Sequence, residues 1–230
     1  MYKRQVLDNN EMKCWGKAEN GSLGNGNDSQ NQYTPVGVNE LNSNTCCFSD
    51  IEETSPDGDH SCALSDGSVY CWGLDTAGQI GHGHLSCVGN GYCVNPHGPS
   101  VLNRNIVTFT TGLRHTCAIA DDSTAWCWGE NDFGQLGVGD NDDRNAPTQV
   151  LLPAGTTPIS INAGGHTTCV ILNNGTGLCW GKSDYGHLGD GTYNNRNEPT
   201  PISILPSNRS LVAMDLGAGH ACGILDDGTA

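Results

Sequence analysis

Positive charge is scarce in this chain of 230 residues. Ten Lys and Arg residues stand against 25 Asp and Glu, which gives a formal net charge of −15. Binding to nucleic acid needs clustered cations that neutralise phosphates, so this composition argues against a nucleic-acid partner. Long apolar runs are also lacking. Because no stretch reaches about 18 consecutive apolar residues, the sequence predicts no membrane span.

Helical and catalytic patterns are missing as well. Apolar residues do not recur at the 3.6-residue period of an amphipathic helix, and this favours strands. We find no Ser-His-Asp set, no paired carboxylates and no strong pattern of metal ligands. The sequence therefore predicts a protein that is not an enzyme and that needs no cofactor.

Cysteine, by contrast, is abundant. Twelve cysteines are more than a reducing cytosol usually allows, and most of them recur at regular spacings. Such spacings favour a disulfide framework over scattered reactive thiols. We therefore expect an extracellular or periplasmic protein, although the stretch Met1–Gln5 is followed by no apolar segment of a signal peptide.

A short unit recurs four times along the chain. Each copy begins with a Cys-Trp-Gly triplet, and the motif G-x-[LI]-G-x-G begins six residues after each Trp. The triplets are Cys14–Gly16, Cys71–Gly73, Cys127–Gly129 and Cys179–Gly181. The glycine motifs are Gly21–Gly26, Gly78–Gly83, Gly134–Gly139 and Gly186–Gly191. Because these motifs lack both the G-x-G-x-x-G order and the Lys-Ser/Thr ending of phosphate-binding loops, we interpret their glycines as turn residues.

The residues around each triplet predict short strands. Asp66-Gly67 is a strong type I′ turn signal, and it places Leu64 opposite Val69 in a β-hairpin. Further strands are predicted at Ile106–Thr111, Ile159–Ala163 and Leu211–Leu216. A proline is predicted to begin another strand in each unit, at Pro35, Pro99, Pro147 and Pro199. About four strands per unit, repeated every 52 to 57 residues, predict an all-β protein built from propeller blades.

The cysteines of these hairpins predict disulfide bonds. Cys62 and Cys71 face each other at a non-hydrogen-bonded pair, where Cα atoms approach to about 4.5 Å. One extra residue separates Cys117 from Cys127 and Cys169 from Cys179, and a three-residue turn with a bulge would restore the facing. The alternative is free thiols packed in the core. Three pairs in register favour the bridges.

The run from His115 to Gly139 resembles the repeat of the regulator of chromosome condensation family, whose fold the bacterial β-lactamase-inhibitor propeller shares. The resemblance covers residues 6–230 and implies a seven-bladed β-propeller with about one repeat per blade. We therefore expect a partial ring of about four blades, incomplete at both ends, whose missing blades belong to the same chain. Residues 1–5 fit no copy of the repeat and are expected to be a non-native start.

Residues at repeat-defined positions are interpreted as structural. Each Trp of the triplets is expected to pack between blades, and each His two residues before a Cys is expected to bond a turn. These residues are Trp15, Trp72, Trp128 and Trp180, with His60, His115 and His220. One unit departs from the pattern, since Thr167 takes the His position and His166 precedes it. We also expect Cys14 and Cys222 to lack partners, with Gln5 opposite Cys14.

Two insertions interrupt the repeat. The first lies in Leu41–Ser55, which is longer and more polar than its counterparts, and the second is an insertion of about eight residues within His82–His97 that contains Cys87 and Cys93. The second contains candidate zinc ligands, since imidazole and thiolate are the usual ligands of zinc. They are His82, His84, Cys87, Cys93 and His97. Their spacing matches no familiar zinc pattern, and a Cys87–Cys93 disulfide is favoured instead. The pairing of Cys46 and Cys47, which lie in the first insertion, stays open.

Together these features predict a secreted, non-enzymatic propeller that binds a protein or a surface glycan through its loops. The resemblance implies two alternatives: a guanine-nucleotide exchange factor for a small GTPase, or an inhibitor of a secreted enzyme. Nucleotide exchange takes place where cysteines are reduced, so the redox state of the cysteines separates the exchange factor from the secreted propeller.

Overall fold

The computed structural model describes residues 2–26, 30–38, 51–55, 58–83, 92–97, 104–203 and 209–230. Within these ranges the chain forms 17 β-strands and a short 3₁₀ turn at Glu19–Gly21. In this described part, no helix has the length and apolar character needed to cross a membrane.

The strands form five antiparallel sheets, taken here in chain order. The first contains β1 (Tyr2–Val6), β2 (Met12–Gly16) and β3 (Gln32–Gly37). The second contains β4 (Ile51–Ser55), β5 (His60–Ser65), β6 (Ser68–Leu74) and β7 (Tyr92–His97). The third contains β8 (Ile106–Thr111), β9 (His115–Ala120), β10 (Ala125–Gly129) and β11 (Arg144–Gln149). The fourth contains β12 (Pro158–Gly164), β13 (Thr167–Leu172), β14 (Gly177–Gly181) and β15 (Arg196–Pro201), and the fifth contains β16 (Leu211–Leu216) and β17 (Ala221–Leu225).

The sheets are the blades of a β-propeller, which confirms the predicted fold class. Their first strands lie side by side: β8 contacts β4 and β12, and β12 contacts β16. The two end sheets are shorter than the three between them. Register shows that β1–β3 correspond to the second, third and fourth strands of a blade, and that β16–β17 correspond to the first and second.

The predicted hairpin disulfides are present in the structure. Bridges join Cys62 to Cys71, Cys117 to Cys127 and Cys169 to Cys179, with Cα–Cα distances of 4.2, 4.1 and 4.1 Å. In the first hairpin Asp66 and Gly67 both have positive φ angles, 47° and 65°, as a type I′ turn requires. The longer hairpins absorb their extra residue at Ser123 and Gly175, which also have positive φ angles, 65° and 78°.

The predicted proline positions are wrong in detail. Pro35, Pro147 and Pro199 are each the fourth residue of β3, β11 and β15 rather than the first. These strands are the outermost of their sheets, where one row of backbone groups faces solvent, so an edge strand tolerates a residue that cannot donate. In the second sheet Pro96 lies within β7, whereas Pro99 falls outside the described residues.

Two other expectations need correction. Arg4, not Gln5, lies opposite Cys14, because Tyr2–Val6 pairs with β2 in the register of a second strand. Cys93 does not lie in the insertion as expected, because Tyr92–His97 forms β7, with Cys93 opposite Gly73 and His97 opposite Cys71.

Candidate binding site at the blade junctions

Each blade is attached to the preceding one by its tryptophan. The indole Nε1–H groups of Trp72, Trp128 and Trp180 donate to backbone carbonyls of the preceding glycine motif at 3.1, 3.0 and 2.9 Å. The acceptors are Ser22, Gln79 and Gln135. All three indoles are fully buried. The glycine motif and the Cys-Trp-Gly triplet are therefore two halves of one contact, which is repeated at the three junctions between the first four sheets.

The fourth residue of the motif must be glycine for this contact to form. At Gly137 the φ angle is +68°, and a Cβ atom there would lie 2.7 Å from Nε1 of Trp180. A Cβ at Gly81 would likewise overlap the indole of Trp128.

The repeated histidines connect the same junctions through threonine hydroxyls. His60 Nε2 lies 2.7 Å from Thr116 Oγ1, and His115 Nε2 lies 2.8 Å from Thr168 Oγ1. Each hydroxyl donates its single proton to a carbonyl, that of Gln79 or Gln135. Nε2 must therefore carry the hydrogen that it shares with threonine, so both rings are neutral Nε2–H tautomers. Burial lowers the pKa of both His60 and His115 to about 3.

A row of charged side chains, here called the charged seam, crosses three blades at this level. Arg114 Nε lies 3.4 Å from Asp59 Oδ2, and its Nη1 lies 3.8 Å from Glu130 Oε1. Glu130 Oε2 in turn lies 2.8 Å from His166 Nδ1. Asp59 lies just before β5 in the second blade, Arg114 just before β9 and Glu130 just after β10 in the third, and His166 between β12 and β13 in the fourth. The seam thus runs from one blade to the next across two junctions.

The seam is partly open to solvent and has aromatic neighbours. The side chains of Asp59 and Arg114 are 44% and 40% exposed, and that of His166 is 22% exposed. The ring of Phe133 packs edge-on against His166 with centroids 5.0 Å apart, and Lys182 Nζ lies 4.7 Å above the Phe133 ring. Both charges and an aromatic ring are therefore available to a partner on one surface.

Glu130 is the electrostatic centre of the seam. The hydrogen bond from His166 is the main cause that lowers the pKa of Glu130, and Gln135 Nε2 donates to the same carboxylate at 3.1 Å. His166 Nδ1 lies 2.8 Å from Glu130 Oε2 and 3.5 Å from Gln135 Nε2, and neither partner carries a hydroxyl or a thiol. The pair therefore lacks the hydroxyl or thiol that a catalytic dyad would activate.

The departure at Thr167 explains why His166 is free to join the seam. Thr167 donates to the Lys182 carbonyl at 3.0 Å and lies 2.9 Å from His187 Nε2, so it bonds within its own blade. Residue 221 of the next sheet is Ala, where the other junctions have Thr116 and Thr168. The junction between the fourth and fifth sheets therefore has neither the histidine nor the threonine of this contact.

Sequence reasoning missed most of the seam. It singled out His166 as a departure but gave no role to Asp59, Arg114 or Glu130. A usable signal was present: Asp59, Arg114, His166 and Gly219 share one repeat position, just before the histidine position. A position that varies in charge between structurally equivalent units marks an exposed place where each unit can differ.

The candidate metal ligands are only partly within the described residues. His82 Nδ1 lies 3.8 Å from Asp75 Oδ2, while His84, Cys87 and the side chain of His97 lie outside the described part. Cys93 is disulfide-bonded, and both the bridge predicted to Cys87 and the pairing of Cys46 and Cys47 lie outside it. Among the described residues, no group of three or more His, Cys, Asp or Glu could hold a metal ion.

The end sheets show what the repeat residues do without a neighbouring blade. His220 is exposed and Trp15 is partly exposed, whereas their counterparts inside the array are fully buried. Cys14 and Cys222 are unbridged, the first buried and the second exposed. Full burial of the histidine and tryptophan positions therefore depends on the neighbouring blade, whereas Cys14 is buried without it.

These junctions define a β-propeller whose blades are joined by tryptophan and glycine motifs. The chain matches the Regulator of chromosome condensation (RCC1) repeat over residues 66–119, 122–171 and 174–224, with a second match to this repeat over residues 106–135. Since these segments cover more than half of the sequence, the chain belongs to the RCC1 repeat family.

The relatives that share this repeat include proteins with different functions. The chain is 27% identical over 220 residues to the human E3 ubiquitin-protein ligase HERC2, covering 95% of this chain and 4% of that protein. It is 28% identical over 206 residues to the Ultraviolet-B receptor UVR8 of Arabidopsis thaliana, covering 87% and 43%. The chain therefore spans less than half the length of either relative.

Solved structures show the same fold at low identity. Human WBSCR16 superposes with a TM-score of 0.80 at 19% identity, covering 97% of this chain and 55% of that one. Prp20p from Saccharomyces cerevisiae superposes with a TM-score of 0.74 at 18% identity, covering 92% and 50%. The ectodomain of the Physcomitrella patens receptor kinase CR4 gives 0.55 at 21% identity, covering 98% and 46%.

Proposed function

We propose that this chain is a secreted, non-enzymatic binding module whose charged seam engages another protein. Three hairpin disulfides in register carry the proposal, because such bridges form and persist in oxidising compartments. The likeness to the CR4 ectodomain supports it at the level of fold, since that propeller belongs to the outer part of a receptor.

The seam supports a protein as the partner. It combines an arginine, a histidine, two carboxylates and an aromatic ring, all in turns and loops that join strands within three adjacent blades. Arginine and aromatic side chains are enriched at protein interfaces. A surface glycan is the other ligand class that a secreted propeller of this kind would take.

The likeness to Prp20p favours a different function. Prp20p binds Gsp1p and histones, and the family's namesake is a nucleotide-exchange factor. That role would place this chain in a reducing compartment, where the three bridges would be open. Inhibition of a secreted enzyme rests on the fold analogy alone.

Two measurements test the proposal. Mass spectrometry of the native protein, alkylated before any reduction, should find Cys62, Cys117 and Cys169 bridged. Affinity capture of extracellular proteins should recover a partner that an Arg114→Glu variant binds at least about tenfold more weakly, because the new carboxylate would repel Glu130 and Asp59.

Arg104→Glu is the matched control. Arg104 is 39% exposed and pairs with Asp122, much as Arg114 is 40% exposed and pairs with Asp59, but it lies outside the seam. Equal loss of binding in both variants would remove the seam from the proposal. Fully reduced cysteines in the native protein would favour the exchange factor, and capture by carbohydrate but not by protein would favour the glycan.

A further inference from the structure

A cavity of about 470 Å³ lies against the first strands of the second, third and fourth sheets. Its lining comes from β4, β8 and β12, which lie side by side. All three sheets have four strands, so the walls of the cavity belong to complete blades. Its volume is typical of ligand pockets, which measure about 300–1,000 Å³.

Polar side chains in this lining connect one first strand to the next. Glu53 Oε2 of β4 accepts a hydrogen bond from Phe109 N of β8 at 3.4 Å. Between β8 and β12 the same kind of contact is made by a hydroxyl, since Thr110 Oγ1 accepts a hydrogen bond from Ala163 N at 3.1 Å. A neutral oxygen is therefore sufficient for such a contact, and the negative charge of Glu53 is not needed for it.

The carboxylate of Glu53 is half-buried and has no charged partner in the described part of the chain. Its Oε1 accepts a hydrogen bond from Thr108 Oγ1 at 3.2 Å. Burial is the main cause that raises the pKa of Glu53, and the hydrogen bonds from Thr108 and Phe109 oppose this rise. A cation at this carboxylate would replace part of the hydration that burial removes.

The first strands carry negative charge and no positive charge. β4, β8, β12 and β16 contain Glu52, Glu53 and Asp215, but no Lys, Arg or His. The whole chain has a formal net charge of −15. A cavity beside these strands therefore attracts cations and repels anions.

The acceptors in the lining match an ammonium group. Each carboxylate oxygen of Glu53 has two lone pairs, and the donors from Thr108 and Phe109 use one on each oxygen. Asn162 Nδ2 donates to Ser160 Oγ at 3.1 Å, and Asn162 Oδ1 accepts from no group among the described residues. An ammonium group donates three hydrogen bonds and accepts none, so it can use these oxygens.

A divalent metal ion matches the lining less well. Ca²⁺ takes about six to eight oxygen ligands, usually with several carboxylates among them. Glu53 is the single carboxylate among the described residues of the lining. In the part of the chain that the structure describes, no group of three or more His, Cys, Asp or Glu could hold a metal ion. The residues therefore favour an organic cation.

One end of the cavity is apolar. Val107 and Ile159, each the second residue of its strand, line the cavity and are 61% and 57% exposed. This end lies away from the charged seam, because β8 begins beside the hairpin turn, where Asp121 N donates to Asn105 O, and ends near His115. An alkyl chain would contact the two apolar side chains while its charged end reaches Glu53.

We propose that this cavity binds a primary alkylammonium group, with the ammonium at Glu53 and the alkyl chain against Val107 and Ile159. A lysine side chain of a partner protein and a free diamine both carry this group. The site is separate from the charged seam, so the blades have a second binding surface at their opposite end.

Binding of n-pentylammonium to the full chain, measured by calorimetry, tests the role of the charge. We expect saturable binding at millimolar concentration. Glu53→Gln should weaken it at least about tenfold, because the amide keeps an oxygen for Phe109 N but removes the charge. Glu52→Gln is the matched control, since Glu52 is exposed, accepts a hydrogen bond from Asp66 N and lies outside the lining. This change should leave the affinity unaltered.

Ligands of different length test the apolar end. n-Pentylammonium should bind about tenfold or more tightly than methylammonium, because buried CH₂ groups contribute to the affinity. Ile159→Ser should remove most of this difference and leave the binding of methylammonium unchanged. Since Ile159 is exposed, the change does not disturb the blade interiors.

Two further ligands distinguish the sources of the ammonium group. Tighter binding of Nα-acetyl-lysine methylamide than of cadaverine would identify a lysine side chain, and the reverse order would identify a free diamine. Three results would each overturn the proposal: n-pentanol bound as tightly as n-pentylammonium, equal losses of affinity in Glu53→Gln and Glu52→Gln, or no saturable binding of any of these amines.

Discussion

At the scale of single residues, the junction histidines are neutral hydrogen-bond donors. His60 and His115 are fully buried and each shares its Nε2 hydrogen with a threonine of the next blade. Desolvation is the main cause that lowers their pKa to about 3. Protonation of either ring would place a charge inside a junction, so these residues make blade cohesion sensitive to acid.

The free energy of unfolding should fall as the pH drops below about 6.5. The unfolded chain binds a proton on each histidine near that pH, whereas the folded chain does so only near pH 3. The stabilisation is therefore complete above pH 6.5 and is lost towards pH 3, by about 1.4 kcal/mol per pH unit for each imidazole. Urea unfolding at several pH values between 4.5 and 7 measures this slope.

His115→Gln should remove one such contribution from the slope. His220→Gln is the control, because His220 is exposed and has no blade beyond it in the structure. A slope that is unchanged in His115→Gln would show that another group causes the acid sensitivity.

At the scale of elements, the hairpin was predictable from sequence and the seam was not. The two-residue turn at Asp66-Gly67 fixes the register of β5 and β6, so the pairing of Cys62 with Cys71 follows from counting. The contact of Arg114 with Asp59 joins residues 55 positions apart in neighbouring blades, and no local rule relates such positions. The prediction that a proline begins the fourth strand was wrong because a bulge between the third and fourth strands sets where the fourth strand begins.

Gly137→Ala tests the fit between a glycine motif and the next tryptophan. The variant should lose about 1 kcal/mol for the positive φ angle and about 1–3 kcal/mol more for the overlap with Trp180. Gly155→Ala isolates the first cost, since Gly155 also has a positive φ angle (+78°) but its Cβ would meet nothing within 4 Å. The difference between the two free energies of unfolding gives the second cost, and equal losses would contradict the close fit.

At the scale of the whole molecule, the sheets follow one another in a row, and each is stabilised by contacts with its neighbours in the sequence. Each sheet contacts only its sequence neighbours among the strand contacts of the described residues, so the inner sheets have two junctions and the end sheets have one. In such arrays the total stability is close to a sum of unit and neighbour terms. The end units should therefore open first.

Amide hydrogen exchange should be slowest in β9, β10 and β13 and fastest in β17. The middle strands are buried along most of their length, while Ala221 and Cys222 of β17 are exposed. The exchange rate of each amide reports how readily its strand opens. Uniform protection across all five sheets would indicate cooperative unfolding of the array as one unit.

The asymmetry of each junction has a consequence for how the array can grow. At each of the three junctions that contain a tryptophan, one blade supplies the glycine loop and the next supplies the indole, so each contact has a direction. A gene duplication that adds or removes one whole period joins a loop to an indole again and leaves no mismatched surface. A change of half a period would place two loops or two indoles face to face. Selection for packing alone therefore favours the gain or loss of whole blades, but it does not fix how many blades there are.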